Sequence, residues 1–416
     1  MSTQNAYTLR PRISFRNTFA ALKHRNYRLW FFGQIVSLVG TWMQSTAQGY
    51  LVYELTQSSA YLGIVSFAYG APAWLFNLYG GVIADRVPRR TMLIITQTSQ
   101  MILAFILAWL AFSRLVQPWH IVVLALLLGI ANAFDAPARQ SFVLEMVSRE
   151  DLTNAIALNS IMFNSAIAVG PAVAGIAYAA LGPGWCFTLN GISFIAVIFA
   201  LAIMRLQWIP PERQNRSFWA ELREGFRFIG SDRIAKTLVF NMFMVSMFGM
   251  GFATLLPAWA VKQLGGDSST YGFLLSSRGV GAVFAGLLLA MVSGWHIRGR
   301  LFTFGGIVFP IMLGVFTFTR WLPLSMLALF GAGWGQIAMF NTANSMLQSI
   351  TPDELRGRVM GIYTLSFFGV VPIGALLAGQ AAVLFGEAPT VMVGAIVMMI
   401  TSLFIYIRIS EVRRVE

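Results

Sequence analysis

The sequence that decides the fold is Gly80-Gly81-Val82-Ile83-Ala84-Asp85-Arg86-Val87-Pro88-Arg89-Arg90, a charged run between two long apolar segments. One acid and three arginines in so short a connection predict a tight, cytoplasm-facing turn between two transmembrane helices. Topology requires only the basic residues, so the lone Asp indicates a further role for this loop. The alternative is a basic loop that does nothing except orient the two helices.

The composition excludes an ordinary soluble domain. Of the 416 residues, 57% are hydrophobic and 11% are charged, whereas soluble domains average about 25% charged residues. A membrane-spanning helix needs about 20 apolar residues. Twelve segments meet that requirement, at 29–53, 60–83, 91–112, 119–138, 153–180, 185–205, 236–261, 270–293, 301–319, 322–347, 359–384 and 388–408. We therefore predict an all-α polytopic membrane protein with twelve transmembrane helices.

The net charge of +13 follows topology rather than nucleic-acid binding. With the N-terminus in the cytoplasm, 25 of the 29 Lys and Arg residues fall in cytoplasmic segments. The outer loops contain only Arg114, Lys262 and Arg320, and Arg278 lies inside a span. This positive-inside bias predicts cytoplasmic termini, and we expect a bacterial inner-membrane protein. The basic excess indicates contact with anionic lipid.

The two halves of the chain repeat. The segment 145–152 aligns with 348–355 at an offset of 203 residues, about half the chain length. The apolar residues of the intervening linker recur at the spacing of an amphipathic surface helix. The predicted organisation is a basic cytoplasmic N-terminal segment (1–28), an N-terminal six-helix bundle (29–205), a cytoplasmic linker with an amphipathic helix (206–235), a C-terminal six-helix bundle (236–408) and a cytoplasmic tail (409–416).

The spacing G-x-x-x-D-R-x-x-R-R in the opening stretch resembles the loop signature of the major facilitator superfamily, with Pro88 where a glycine is usual. The resemblance implies two pseudo-symmetric six-helix bundles with the substrate site between them. It also implies that this loop holds the cytoplasmic side closed: the Asp contacts the start of the eleventh helix, and an Arg pairs with the acid at the end of the fourth. The implied gating residues are Gly81, Asp85, Arg86, Arg89, Arg90 and Glu145.

The corresponding elements of the second half lack the acids. The loop 294–300 contains no Asp or Glu, and the position that repeats Glu145 is the neutral Gln348. The second half therefore lacks both the acid of the loop and the acid at the position that repeats Glu145. We therefore expect an asymmetric cytoplasmic latch that depends mainly on the first half.

The fifth span contains Gly170, Pro171 and Gly175 within a run of small residues. The run resembles the motif of exporters that work as proton antiporters, with Ala174-Gly175 in place of the usual double glycine. The alternative is simple close packing of helices. Such antiporters commonly carry an arginine near the start of the fourth span, where this chain has Leu127.

Ionisable residues at membrane depth are functional candidates because they are costly to bury. Asp135 lies about 15 Å from the cytoplasmic end of the fourth span, and Arg139 is one turn away. The pair is either a protonation site in the transport cavity or a structural ion pair. Arg278 lies in the eighth span beside glycines. It binds an anionic substrate, serves as counter-ion to an acid across the cavity and so takes part in charge coupling, or extends to the outer surface.

Neutral polar residues complete the candidate site. In the superfamily, helices one, four, seven and ten line the cavity, which implies a role for polar residues on the first, seventh and tenth. These residues are Gln44, Gln48, Asn241, Gln336, Asn341 and Asn344. The alternative for each is a hydrogen bond to a neighbouring helix.

Signatures of catalysis are missing from the sequence. We find no Walker loop, nucleophile elbow or metal-ligand cluster, and the single Cys186 excludes an internal disulfide. We therefore predict a protein that is not an enzyme, without cofactor or metal, driven by an ion gradient. The expected partners are a small-molecule substrate, protons and membrane lipids, with no nucleic acid, and we expect a monomer.

The segments 22–30, 135–140 and 355–361 resemble one branch of the superfamily, the bacterial exporters that include the enterobactin exporter and the macrolide efflux proteins. The resemblance implies a secondary active transporter that exports a small amphiphilic or hydrophobic molecule, such as a siderophore, macrolide or drug-like solute. Alternating access and proton antiport are expected. The alternatives are a lipid or lysolipid translocase and a nutrient importer of the same fold.

Overall fold

The computed structural model of the protein describes residues 19–76, 87–204, 218–291 and 297–414. Thirteen helices of ten or more residues lie within these ranges. In chain order they are α1 (Arg25–Thr56), α2 (Ser59–Phe76), α3 (Arg89–Phe112), α4 (Pro118–Met146), α5 (Leu152–Leu181), α6 (Pro183–Ile203), α7 (Phe218–Ser231), α8 (Arg233–Lys262), α9 (Ser268–Met291), α10 (Arg298–Phe318), α11 (Leu322–Ile350), α12 (Asp353–Phe385) and α13 (Glu387–Arg408).

All of these helices except α7 are long enough to cross a membrane. Eleven of the twelve are also apolar enough, and the exception is α1, which contains several glutamines. Large apolar side chains such as Phe199, Phe318 and Leu384 point outward and are at least 65% exposed. An outer surface of this kind suits lipid rather than water. The predicted fold class, an all-α polytopic membrane protein with twelve transmembrane helices, is confirmed.

The twelve helices form two bundles, whose cores meet where Ala258 of α8 packs among residues of the first half. The first half, α1–α6, is packed around residues such as Trp30 and Phe142, whose rings meet edge to face at 5.4 Å. The second half, α8–α13, has one large core, in which Trp259 stacks on Phe316 at 4.5 Å. Both halves turn their last pair of helices on a glycine with positive φ, Gly182 at 86° and Gly386 at 88°. The turn geometry therefore repeats as the sequence does.

The helix ends form two faces of the bundle. One face carries both ends of the described chain, helix α7 and basic residues such as Arg90, Arg233 and Arg408; we call it the basic end. The opposite face carries the turn within each consecutive pair of spanning helices, from α1–α2 to α12–α13; we call it the far end.

Two seams join the halves, α2 against α12 and α5 against α9. Both seams depend on glycine. A Cβ atom on Gly63 would lie 2.8 Å from the carbonyl oxygen of Ala375, and one on Gly175 would lie 2.6 Å from that of Ser268. Only residues without a side chain permit backbones to approach so closely. Since both contacts lie within two turns of the far end, the seams close the molecule there.

Two helices of the second half are interrupted by short π-helical segments, Val245–Gly249 in α8 and Leu365–Gly369 in α12. Such segments occur frequently at functional sites because they break the regular hydrogen-bond ladder and bend the helix. The segment in α12 also contacts the first half, because the indole N–H of Trp74 donates a 2.7 Å hydrogen bond to the carbonyl oxygen of Gly369.

Candidate functional site

A cavity of about 270 Å³ lies between the two halves. Its wall combines residues of α1, α2, α3, α4 and α6 from the first half with residues of α8 and α9 from the second. Along α9, Arg278 follows Ser268 by ten residues, a depth of roughly 15 Å from the far end. That is about half of the ~30 Å hydrocarbon thickness of a bilayer. The cavity therefore extends from near the far end, where Leu62 and Tyr271 line it, to about the middle of the membrane.

The first half contributes a cluster of amides to the cavity wall. Gln44 and Gln48, predicted as cavity residues, both line it. The Oε1 atom of Gln44 accepts a 2.6 Å hydrogen bond from Nδ2 of Asn190. Gln100 also lines the cavity, and its Nε2 donor is buried without a hydrogen-bond partner. Sequence reasoning missed Gln100 and Asn190 because they lie on the third and sixth spans, outside the four helices that the superfamily resemblance indicated.

Arg278 is the charged residue of the cavity wall. Its Nε and Nη2 donate to Oε1 of Gln336 at 3.3 and 3.1 Å, and its guanidinium lies 5.4 Å from the centre of the Phe252 ring. Gln336 in turn directs its Nε2 towards the sulfur of Met250 at 3.0 Å. Gln336 thus orients Arg278 without itself lining the cavity. The side chain reaches the cavity and does not extend to the far surface.

The other polar residues predicted for the cavity lie elsewhere. Asn241 is buried inside the second half, where its Nδ2 approaches the sulfur of Met339 at 3.3 Å. Asn341 is exposed, and Asn344 accepts a 2.6 Å hydrogen bond from Gln348 one turn along the same helix. None of the three is part of the cavity wall. Gln348, which stands in the second half where Glu145 stands in the first, therefore bonds within its own helix and not to another helix.

Asp135 lies beside the cavity rather than in its wall. The residue is 1% exposed and its carboxylate has three partners. Thr96 Oγ1 donates at 2.8 Å and Gln97 Nε2 at 2.9 Å to one oxygen, and Arg139 Nη2 lies 3.1 Å from the other. Gln97 is one turn from Gln100 on α3. The helix face that binds Asp135 therefore continues into the cavity wall.

At the basic end, Arg89 and Glu145 form an ion pair with a separation of 2.7 Å. Arg90 donates to the carbonyl oxygens of Leu201 and Ala202 at the end of α6, both at 2.6 Å. The remaining predicted gating residues, Gly81, Asp85 and Arg86, lie outside the described residues.

The small residues of α5 join that helix to both halves. A Cβ atom on Gly170 would lie 2.6 Å from Cβ of Trp42 on α1. The carbonyl oxygen of Pro171 lies 2.4 Å from the Cβ position of Gly272 on α9, and the hydroxyl groups of Ser268 and Ser269 donate to the carbonyl oxygen of Gly175 at 3.2 and 3.3 Å. The motif therefore forms one of the two seams between the halves.

The N-terminal end of the described chain is attached to the α4–α5 turn. Lys23 Nζ and His24 Nε2 both lie 2.7 Å from Oδ2 of Asp151, and Ser148 Oγ donates to the same oxygen at 3.1 Å. These hydrogen bonds, first from Lys23 and then from His24, lower the pKa of Asp151 to about 2. A carboxylate with several donors favours its charged form.

A second charged cluster lies at the far end and joins the halves. Oε1 of Glu387 accepts from Ser59 Oγ at 2.8 Å and from Lys262 Nζ at 2.7 Å. The Lys262 ammonium also lies 5.9 Å from the ring centre of Tyr53. Because Ser59 and Tyr53 belong to the first half and Glu387 and Lys262 to the second, both contacts cross the seam. Sequence reasoning did not identify this cluster.

Within the described ranges, no three His, Cys, Asp or Glu side chains come together as a metal site. The model of the family described as "Transmembrane secretion effector" matches residues 16–416. The chain belongs to this family. It is a secondary transporter of the major facilitator superfamily and not an enzyme. The superfamily and exporter branch indicated by the sequence motifs are confirmed.

Curated relatives of this transmembrane secretion effector are exporters and transporters. The staphyloferrin A transporter of Staphylococcus aureus is 25% identical over 393 residues, 91% of this chain and 96% of the relative. The multidrug efflux pump Tap of Mycolicibacterium fortuitum is 25% identical over 362 residues, 84% and 88% of the two chains. The enterobactin exporter EntS of Salmonella typhimurium is 24% identical over 399 residues, 94% of each chain.

Solved structures share the fold of this transmembrane secretion effector. A bacterial homologue of the human lysosomal transporter Spinster, in an inward-facing and occupied conformation, superposes with a TM-score of 0.72 at 14% identity, covering 94% of this chain and 97% of its own. A POT family transporter in complex with 5-aminolevulinic acid gives 0.73 at 11% identity, covering 93% and 96%. At these identities, the similarity establishes the fold alone.

Proposed function

We propose that the protein exports a small amphiphilic or hydrophobic solute, such as a siderophore or drug-like molecule, by alternating access and in exchange for protons. The observation that carries the proposal is the cavity that reaches mid-membrane depth and is lined by helices of both halves. A site built from two bodies that move against each other is how secondary transporters expose a substrate to one side at a time. The exporter relatives support the substrate class.

The arrangement of contacts supports alternating access. Between the halves, the main packing in the described residues is that of α2 with α12 and α5 with α9, supplemented by contacts of α1 and α2 with α8 and α9. The glycine contacts of these seams extend from the far end to about mid-depth, where Gly279 meets Ile167, and the Glu387 cluster lies at the far end. We infer that the basic end, which faces the cytoplasm by the positive-inside rule, is the open side in this conformation.

We propose that Gly81, Asp85 and Arg86 act with Arg89, Arg90 and Glu145 to hold the cytoplasmic side closed when the far end is open. The ion pair between Arg89 and Glu145 supports this role, because it fixes the start of α3 against the end of α4. The second half has no equivalent ion pair at Gln348, whose amide bonds within α11.

Proton coupling is assigned to Asp135 with Arg139 as its counter-ion. The carboxylate is buried at mid-depth, and the α3 face that binds it continues to Gln100 in the cavity wall. A proton on Asp135 would break the ion pair with Arg139 and loosen the contact between α3 and α4. The alternative is a structural ion pair, which its three satisfied contacts also fit.

Transport by everted membrane vesicles tests the proposal. The vesicles come from a bacterial host that lacks its own efflux pumps, and the probes are radiolabelled iron-free enterobactin and erythromycin. We expect uptake of at least one probe when respiration acidifies the lumen, and loss of that uptake when nigericin collapses the pH gradient. Vesicles without the transporter and vesicles with Arg227→Gln, an exposed change on α7, are the controls. Uptake confined to right-side-out vesicles would indicate an importer.

A lipid translocase is the second candidate, and one observation favours it. A groove of about 540 Å³ runs along α3 and α4, where its wall is apolar apart from hydroxyl groups such as Thr96. An acyl chain fits such a groove. The test is whether a fluorescent lysophosphatidylcholine moves between the leaflets of proteoliposomes. If it does, and if vesicles take up neither enterobactin nor erythromycin, lipid translocation would be the better assignment than export.

A further inference from the structure

The described residues that line the central cavity carry one formal charge. They are neutral amides and hydroxyls, aromatic rings, aliphatic side chains and Arg278, with no carboxylate among them. Among the described residues, Arg278 makes no ion pair with Asp or Glu at salt-bridge distance, although other buried or half-buried cations, such as Arg139, do. An unpaired charge at membrane depth is costly, so its presence there calls for an anion that arrives from elsewhere.

The hydrogen-bonding capacity of Arg278 is only partly used. A guanidinium has five N–H donors. Two of them, on Nε and Nη2, donate to Oε1 of Gln336, which leaves three without a partner among the described residues. Gln336 is itself neutral, so it orients the guanidinium without neutralising it. The fork geometry of the remaining donors matches the two oxygens of a carboxylate.

The backbone around Arg278 is held rigidly on two sides. A Cβ atom on Gly279 would lie 2.8 Å from the carbonyl oxygen of Ile167 on α5, and one on Gly281 would lie 2.0 Å from that of Phe330 on α11. The carbonyl oxygen of Arg278 lies 2.1 Å from the Cβ position of Gly333. Neighbouring helices therefore fix the segment from which the side chain extends, and the guanidinium is presented to the cavity as a preorganised group.

The first half offers a second free donor to the same cavity. Gln100 is 6% exposed, lines the cavity, and its Nε2 has no hydrogen-bond partner in the described residues. Buried donors without partners are rare in folded proteins because each costs about 1–3 kcal/mol. The walls around these two polar groups include Trp42, Phe194 and Leu275. One half thus supplies a cation and the other a neutral donor, across a largely apolar space.

We propose that the transported solute is an amphiphilic organic anion whose carboxylate, or a chemically equivalent oxyanion, binds Arg278, while an acceptor group of the same molecule reaches Gln100. The inference rests on the proposed export function and specifies the substrate class of its cavity. Such a ligand would contact both halves at once, so binding would bias their relative position. At about 270 Å³, the cavity in this conformation is close to the lower limit of ligand pockets, about 300 Å³.

Binding to the purified full-length protein in detergent tests the inference with three probes of one skeleton: 4-phenylbutyrate, 4-phenylbutyramide and 4-phenylbutylamine. These are an anion, a neutral amide and a cation of similar size, and calorimetry gives each Kd. We expect the carboxylate to bind about ten- to one-hundredfold more tightly than the amide, because hydrogen bonds to a charged group contribute that much. The amine should bind most weakly.

The variants separate charge from structure. Arg278→Gln should reduce carboxylate affinity to that of the amide, and Arg278→Lys should retain part of the preference, because it keeps the charge but not the fork. Gln100→Leu should leave the affinities of these three probes nearly unchanged, because none has an acceptor besides its head group. It should weaken 4-(4-acetylphenyl)butyrate, which adds a ketone oxygen, by a few-fold. Arg227→Gln removes one exposed cation far from the cavity and should leave all three affinities unchanged.

A competition experiment with lysolipids tests whether the bound oxyanion belongs to a lipid headgroup or to a free solute. Competition with phenylbutyrate by lysophosphatidate, but not by lysophosphatidylcholine, would support anion binding and assign the oxyanion to a lipid headgroup. Equal affinity of the wild-type protein for all three probes, or a carboxylate preference that survives Arg278→Gln, would overturn the inference. Because binding is measured without a gradient, that result would leave the export proposal intact, and vesicle uptake tests the export proposal separately.

Discussion

Arg89 on α3 and Glu145 at the end of α4 form an ion pair across 56 residues of sequence, with Nη1 and Oε1 2.7 Å apart. Each side chain retains 21% exposure, so the pair is partly screened by water. It connects the residue that begins α3 to the last turn of α4. Any displacement of the loop before α3 is therefore transmitted to the basic end of α4.

The first prediction concerns this ion pair. Arg89→Gln and Glu145→Gln should each lower export several-fold at unchanged membrane abundance, because each leaves one charge without its partner. The charge-reversed pair Arg89→Glu with Glu145→Arg should recover part of the activity. We expect a coupling free energy of about 1 kcal/mol, the range of partly exposed pairs. The idea fails if the reversed pair is as inactive as the single variants at equal abundance.

The second prediction is functional asymmetry between the halves. Replacing Arg298 and Arg300 together with Gln should reduce export less than replacing Arg89 and Arg90 together, because Arg89 has Glu145 and Arg90 has two carbonyl oxygens as partners. Vesicle uptake normalised to protein amount provides the comparison. Equal losses from the two double variants would contradict the asymmetry.

The third prediction concerns Asp135. Asp135→Asn can keep the hydrogen bonds from Thr96 and Gln97 through its amide oxygen but loses the ion pair with Arg139 and any exchangeable proton. Proton-driven accumulation should be abolished, whereas downhill exchange of labelled for unlabelled substrate should persist. Proteoliposomes with an imposed pH difference measure both. If the variant still concentrates substrate, the structural ion-pair interpretation is preferred.

The fourth prediction concerns the far end. Glu387→Gln should open that side more often, because it loses the charge that accepts from both Ser59 and Lys262. The effect should be roughly 1–3 kcal/mol, below that of a fully buried pair because the Lys262 side chain is 45% exposed. The reporter is Ser66→Cys in the cavity wall of a Cys186→Ser background, labelled from the far side by an impermeant thiol reagent.

Ser59→Ala is the matched control for Glu387→Gln. It removes only the hydroxyl donor to the Glu387 carboxylate and leaves the Lys262 contact in place, so it should increase labelling to a smaller extent. Labelling of the reporter that is the same in Glu387→Gln as in the parent protein would show that the cluster does not hold the far end closed.

The fifth prediction concerns pH. The pKa of Asp151 falls from 3.8 to about 2 on folding, because Lys23 and His24 donate to its carboxylate. Above about pH 5 the carboxylate is charged in both states, and its stabilisation is fully present. As the pH falls from about 5 to 2, Asp151 of the unfolded chain binds a proton before Asp151 of the folded protein does, and the stabilisation is lost. The difference in Tm between wild type and Asp151→Asn should therefore be constant from pH 7 to 5 and should narrow below pH 4.

The fold follows from sequence because the bilayer imposes a simple rule: long apolar segments become helices, and basic residues collect on one side. The spacing of Asp135 and Arg139, four residues apart on one helix, was sufficient to predict their contact. The pairing of Arg89 with Glu145 was expected from the superfamily resemblance, which relates the loop before α3 to the end of α4.

The rest of the site depends on how helices meet, which periodicity does not reveal. Ser59 and Glu387 are 328 residues apart, and no local pattern indicates that the two helix starts touch. Asn241 and Gln100 are both polar residues within apolar spans, yet only Gln100 lines the cavity. The rotation of each helix about its axis decides between them, and that rotation is set by glycine contacts with neighbouring helices.

The glycine seams have a kinetic consequence. Side chains that interlock across an interface must leave their rotamer wells before the surfaces part, which adds an activation barrier to the cost of lost contacts. At Gly63 and Gly175 the facing backbones meet without such interlocking. At these two points the bodies can separate without rotamer changes, so the polar contacts at the rim contribute a larger share of the barrier there. A bulkier residue at Gly63 or Gly175 should therefore change the turnover rate more than it changes the affinity for the solute.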